Sequence, residues 1–96
     1  MKVEYSNRAI ADLHNLSADS LTFGGSVASA VEARVRTIIS HIGEYPQAAQ
    51  RVADRSGVHV MPLVPYPYKI FYRVFEDRVR ILHIRHTSRR PWTEGR

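Results

Sequence analysis

The chain has 96 residues, enough for one domain (residues 1–96) with a thin core that buries roughly 60–65% of its unfolded surface. It has no cysteine, hence no disulfide or thiolate metal site, and no apolar run near the roughly 18 residues of a membrane span or the core of a signal peptide, so a cytoplasmic protein is expected. Residues 67–96 carry the whole net charge of +5, with eight Lys/Arg against three acids, whereas residues 1–66 balance six against six; the last third would attract nucleic acid or an acidic protein.

Residues 2–6, KVEYS, alternate Val3 and Tyr5 with Lys2 and Glu4, the period of a short strand. Ser6 or Asn7 can then cap a helix by accepting a free backbone N–H. Ala9, Ile10, Leu13 and Leu16 follow at helical spacing, and this helix should end near Leu21, before the turn TFGG. A second helix is marked by Val27, Val31, Val35, Ile38 and Ile42, an apolar stripe widened by Ala28, Ala30 and Ile39. Gly43 reads as its C-terminal stop, with Pro46 just beyond. Two helices joined by so short a turn should form an antiparallel hairpin.

Strands dominate afterwards. Residues 47–57 read as a loop or short edge strand. VHVMPLV (58–64) is strand-like, but Pro62 cannot donate to a ladder and belongs at an edge or bulge. YKIFYRVF (68–75) is rich in aromatic and β-branched residues, Glu76-Asp77 forms a tight turn, and RVRILHIRH (78–86) returns antiparallel. The order β-α-α-β-β-β describes an α+β fold, an N-terminal strand and helix hairpin on one face of a small antiparallel sheet.

Alternation along 68–75 sends Tyr68, Ile70, Tyr72 and Val74 toward the helices and Lys69, Phe71, Arg73 and Phe75 to the open face. Cations interleaved with rings suit base stacking and phosphate contacts, and equally suit charged stems lying over rings to shield an exposed sheet. In 78–86 the apolar positions change parity near Leu82, which a bulge or strong twist explains.

The candidate chemistry is narrow. His83 and His86 form H-x-x-H, but residues three apart on a strand face opposite ways, so no metal is expected, and no cofactor. His14, His41 and His59 are scattered and read as structural or exposed. No serine sits in a nucleophile elbow, and there is no phosphate-binding glycine loop. A metal-independent ribonuclease would need cations for a pentacoordinate phosphate and an acid or base. Lys69, Arg73, Arg85, His86, Arg89 and Arg90 can supply cations, and His86 an acid or base; no tyrosine follows Arg90, and Trp92 has no titratable group.

The block P-Y-P-Y-K-I-F-Y-R-V, a short turn, then V-R-I-L-H-I-R-H-T-S-R-R-P resembles the RelE/ParE superfamily of type II toxin–antitoxin toxins, over nearly the whole chain. RelE-type members are ribosome-dependent mRNA endoribonucleases with lysines on the strand equivalent to 58–64, a basic residue equivalent to Lys69, an arginine near Arg90 and a later tyrosine. This chain keeps Lys69 and Arg90 and lacks the other residues; as a ribonuclease it would rely on Lys69, Arg73, His86 and Arg90. It is more similar to ParE-type members, around L-H-I-R-H-T-S-R-R. That resemblance implies a plasmid-stabilisation type of toxin that inhibits DNA gyrase by binding rather than by catalysis. It implies a target surface of Lys69, Arg73, Arg85, His86, Arg89, Arg90 and Trp92. It also implies a cognate antitoxin, ParD-like or other, whose disordered tail folds on Leu13, Leu16, Val31, Val35, Ile38 and Tyr72. No sequence-specific nucleic-acid binding and no membrane partner are expected. A non-toxic basic interaction module is the third reading.

Overall fold

A computed structural model of the chain describes residues 1–87. β1 (Lys2–Tyr5) leads into α1 (Asn7–Leu21) and α2 (Gly25–Glu44), followed by β2 (Gln50–Arg51), β3 (Val58–Pro62), β4 (Tyr68–Val74) and β5 (Arg78–His86). The sheet order is β1-β5-β4-β3-β2. β2 to β5 form an antiparallel meander, but β1 joins β5 in parallel, from Lys2 opposite Arg78 to Tyr5 opposite Ile81. The sheet is therefore mixed rather than wholly antiparallel. Among the described residues no helix is long and apolar enough to cross a membrane.

The core lies between the helix hairpin and one face of the sheet. Ala9 and Leu16 of α1 and Val31, Val35, Ile38, Ile39 and Ile42 of α2 meet Leu63, Ile70, Tyr72, Val79, Ile81 and Ile84. The stripe on α2 starts one residue later than the spacing predicts: Ala28 is buried, whereas Val27 and Ala30 are exposed. The cause is the hairpin tip, where none of residues 21–27 is buried. Gly24 caps α2 at φ 106°, a conformation that a side chain would strain. Gly43 does not stop α2, which continues through Glu44; its missing side chain makes room for β1. A Cβ there would stand 3.2 Å from Val3 Cγ2 and 3.4 Å from Met1 O.

The joint between β1, α1 and β5 is built from two side chains. Ser6 caps α1: its Oγ accepts from Ala9 N (3.0 Å) and donates to Leu82 O (2.8 Å), while its N–H reaches Ile81 O (3.0 Å). The register of β4 on β5 steps from Tyr72 opposite Ile81 to Phe71 opposite His83, leaving Leu82 as the extra residue of a bulge. That bulge is the parity change visible in the sequence. One turn and a half along α1, Asp12 Oδ2 accepts from Ile84 N (2.9 Å) and meets His83 Nδ1 (2.5 Å).

The Asp12 contact predicts a large cost on removal. Asp12→Ala strands two inward-facing donors and should lower unfolding free energy by about 2–4 kcal/mol in urea titrations, whereas Asp12→Asn, which keeps an acceptor, should cost about half of that or less. The second expectation concerns pH. Burial holds the His83 imidazole below the ordinary value of 6.5, against the pull of Asp12. The unfolded chain therefore binds this proton more tightly, so stability should be full above 6.5 and fall as pH drops from there through the folded value. His83→Gln should flatten that part of the stability–pH curve measured by denaturant titration.

Candidate functional site

The open face of the sheet carries a cluster of cations from β4 and β5. Because β4 alternates, Lys69, Phe71 and Arg73 stand opposite in direction to the buried Ile70 and Tyr72. Their neighbours on β5 are Arg85, His83 and Arg80 respectively. At the turn end of this face the cations are tied down. Glu4 Oε1 accepts from Arg78 Nε (2.9 Å) and from Arg80 Nε (2.8 Å) and Nη2 (2.7 Å). Hydrogen bonds from Arg78 first, then Arg80, hold the Glu4 carboxyl below its usual range. The Phe75 ring lies under both guanidiniums, 4.2 Å from Arg78 Cζ and 5.4 Å from Arg80 Cζ. Arg73 Nη1 donates to Ser56 O at 2.9 Å.

The other end is different. Lys69 sits directly opposite Arg85, and neither side chain has an ion-pair or hydrogen-bond partner among the described residues. Like charges placed opposite each other across a ladder repel. The shielding reading holds at Phe75, under the Arg78 and Arg80 guanidiniums, while Lys69 and Arg85 flank Phe71 without such a partner acid.

His86 does not join Lys69 and Arg73, which corrects the ribonuclease grouping. It pairs with Tyr68 on the opposite parity, and the two rings meet edge-on at 5.3 Å. There it lines a polar cleft of about 360 Å³ between α1 and β5, with Arg8, Asp12, His83 and Arg85. Arg89, Arg90 and Trp92 lie outside the described residues. The sequence does not flag Arg8, Asp12 or Tyr68 as cleft residues; the available signal was the polar row Arg8, Asp12, Asn15 and Asp19, spaced along one side of α1.

A second, apolar groove of about 450 Å³ runs between α1 and α2. Tyr5, Leu13, Leu16, Val35 and Ile39 line it, and His14, Glu32 and Arg36 stand among its polar residues. Ser17 Oγ donates to Glu32 Oε1 across the helices at 2.7 Å. Of the six residues expected to meet an antitoxin, Leu13, Leu16 and Val35 line this groove. Val31, Ile38 and Tyr72 do not reach it, because they are spent on the chain's own core. Tyr72 is wholly buried, stacks on His59 (5.3 Å, 12°) and donates its hydroxyl to Pro46 O at 2.8 Å; burial pushes its phenol above the usual value. His59 is likewise structural: it is buried, and its Nδ1–H donates to Ala49 O at 3.1 Å. Tyr5 and Ile39 are groove residues that the sequence reading left out.

The mixed sheet with a helix hairpin on one face has solved counterparts. The chromosomal ParDE TA system from P. aeruginosa aligns with TM-score 0.75 at 23% identity, covering 92% of this chain and 97% of that one. The isolated E. coli RelE toxin aligns with TM-score 0.68 at 15% identity, covering 93% and 86%, and the intact E. coli RelBE toxin–antitoxin complex with 0.69 at 15%, covering 92% and 98%. At these identities the likeness is one of fold. No curated protein sequence matches the chain. A family model described as "ParE toxin of type II toxin-antitoxin system, parDE" matches residues 3–91. Matched over nearly its whole length, the chain belongs to the ParE toxin family of type II toxin–antitoxin systems.

Proposed function

We propose that the chain is a cytoplasmic toxin that acts by binding, with DNA gyrase as its target, and that a cognate antitoxin neutralises it. The observation that carries the binding mode is the Lys69–Arg85 pair beside Phe71. Two unpartnered like charges on a sheet face raise the energy of the free protein, and an acidic patch on a partner relieves them while a ring supplies apolar contact. Phosphoryl-transfer chemistry finds less support in the same geometry. His83 is buried and hydrogen-bonded to Asp12, and His86 is turned to the far parity from Lys69 and Arg73, so these two cations are not grouped with His86 as acid or base. The choice of gyrase follows the ParE family. The antitoxin's place is the groove between α1 and α2, where an amphipathic segment that orders on binding would set its apolar side on Leu13, Leu16, Val35 and Ile39.

Purified protein should inhibit gyrase supercoiling. Lys69→Glu should weaken that inhibition about tenfold or more, with an unchanged circular dichroism spectrum and melting temperature, because it removes an exposed charge and touches no core residue. Failure to inhibit gyrase at any excess removes the target; cutting of mRNA in translating ribosomes would put a ribonuclease in its place. For the groove, Leu13→Ala should weaken antitoxin binding by about tenfold in calorimetric titration while leaving gyrase inhibition as it was.

A further inference from the structure

β5 runs past its partner: β1 pairs as far as Ile81, and residues 82–86 continue without it. The cleft of about 360 Å³ lies beside this overrun, with α1 as its other wall. Its volume falls at the lower end of the range for small-molecule sites, roughly 300–1,000 Å³. Arg8, in the first turn of α1, and Arg85, on β5, supply one guanidinium from each wall. Neither side chain has an ion-pair or hydrogen-bond partner among the described residues. Both line the cleft together with the buried His83.

The two acids of the cleft match its two guanidiniums in number, but neither is ion-paired to them among the described residues. Asp12 accepts from Ile84 N–H and meets His83 Nδ1. Asp19 lies eleven residues beyond Arg8 on α1, about 16 Å away at roughly 1.5 Å per residue. Between these ends the lining turns to rings and apolar surface: Tyr68 and His86 edge-on at 5.3 Å, with Leu16 beside them.

We propose that this cleft binds a small phosphate monoester of nucleoside-monophosphate size, with Arg8 and Arg85 forking the phosphate and Tyr68 and His86 flanking the organic part. A guanidinium's planar donors match phosphate oxygens two at a time, and two such forks on facing walls suit a dianion. The volume exceeds what a single carboxylate side chain of a protein partner would fill, and the ring-lined half suits a ligand with its own flat group. The cleft shares Arg85 with the open face and Leu16 with the groove, but its ligand does not depend on gyrase being the target.

The test is a titration of the full chain with adenosine 5′-monophosphate, inorganic phosphate and adenosine, read by calorimetry and by the imidazole NMR signals of His83. The monophosphate should bind in the millimolar range or tighter, phosphate more weakly, and adenosine least. Burial is the main cause that holds His83 down and the two guanidiniums add to it, so an oxyanion bound between them should move its titration midpoint up when the monophosphate is present. Arg8→Gln should weaken binding about tenfold and remove that shift, and Arg85→Gln should do the same, with melting temperatures confirming that both variants fold. The proposal falls if no binding is seen at roughly 10 mM, if adenosine binds as well as its monophosphate, or if both variants bind like the parent.

Discussion

Strand edges covered by other elements must have their N–H groups paired, and β5 is nine residues long beside a four-residue β1. The groups that β1 leaves behind are taken over by α1. Ser6 accepts nothing from β5 but gives it two hydrogen bonds, to Ile81 O and Leu82 O; Asp12 reverses the direction and accepts from Ile84 N. Helix and strand are thereby locked at two points about six residues apart on α1, which fixes the helix along the flank of β5. The other features of the fold follow from that placement. Ala9 and Leu16 reach the core, α2 packs beside α1, and the space that α1 cannot fill next to residues 82–86 becomes the polar cleft. The bulge at Leu82 belongs to the same joint, since it sits where β1 hands over to α1.

Charge is arranged by a similar scarcity of partners. The described part of the basic third has more cations than carboxylates to meet them. Glu4, reaching over from β1, takes both Arg78 and Arg80, and Asp77 shares Arg78 at 2.9 Å. A single ring, Phe75, lies beneath the pair. Nothing comparable serves Lys69 and Arg85, so the uncompensated charge collects at the end of the face farthest from the turn. Desolvating such a pair against an acidic partner removes a repulsion already present in the free protein, which lowers the cost of binding there relative to the Arg78–Arg80 end.

Much of this was legible in the sequence because it depends on local period. The strand 68–75 sorts into a buried and an open face by alternation alone, the α2 stripe by its steps of three and four, and the parity change near Leu82 is the bulge itself. Local period says nothing of direction or distance, however. β1 meets β5 across 76 residues, and no alternation reveals that the pairing is parallel. Asp12 on a helix surface reads as a solvated acid until the edge of β5 is placed against it. The apolar stripe of α2 is wider than any one contact, so the sequence could not divide Val31 and Ile38, which face the sheet, from Val35 and Ile39, which also border the groove. Gly43 looked like a helix stop because glycines often end helices; its close approach to β1 is visible only in three dimensions.

The two proposed binding surfaces lie on opposite sides of the sheet, and this constrains how one partner can block the other. A segment seated between α1 and α2 covers Leu13 and Val35 but leaves Lys69 and Arg85 open. The shortest dimension of the molecule is 23 Å, so an extended chain rounding it needs about seven residues at roughly 3.3 Å each. An antitoxin that neutralises by covering the target face therefore needs an amphipathic part for the groove and a further extended stretch of about that length. Acidic residues in the stretch would meet the Lys69–Arg85 pair by the same attraction proposed for the target. An antitoxin limited to the groove would have to act by another route, either by bulk that excludes a large target or by shifting α1. The second route leads back to Asp12, because α1 cannot move along β5 without breaking the bond to Ile84 N and exposing the pairing of His83.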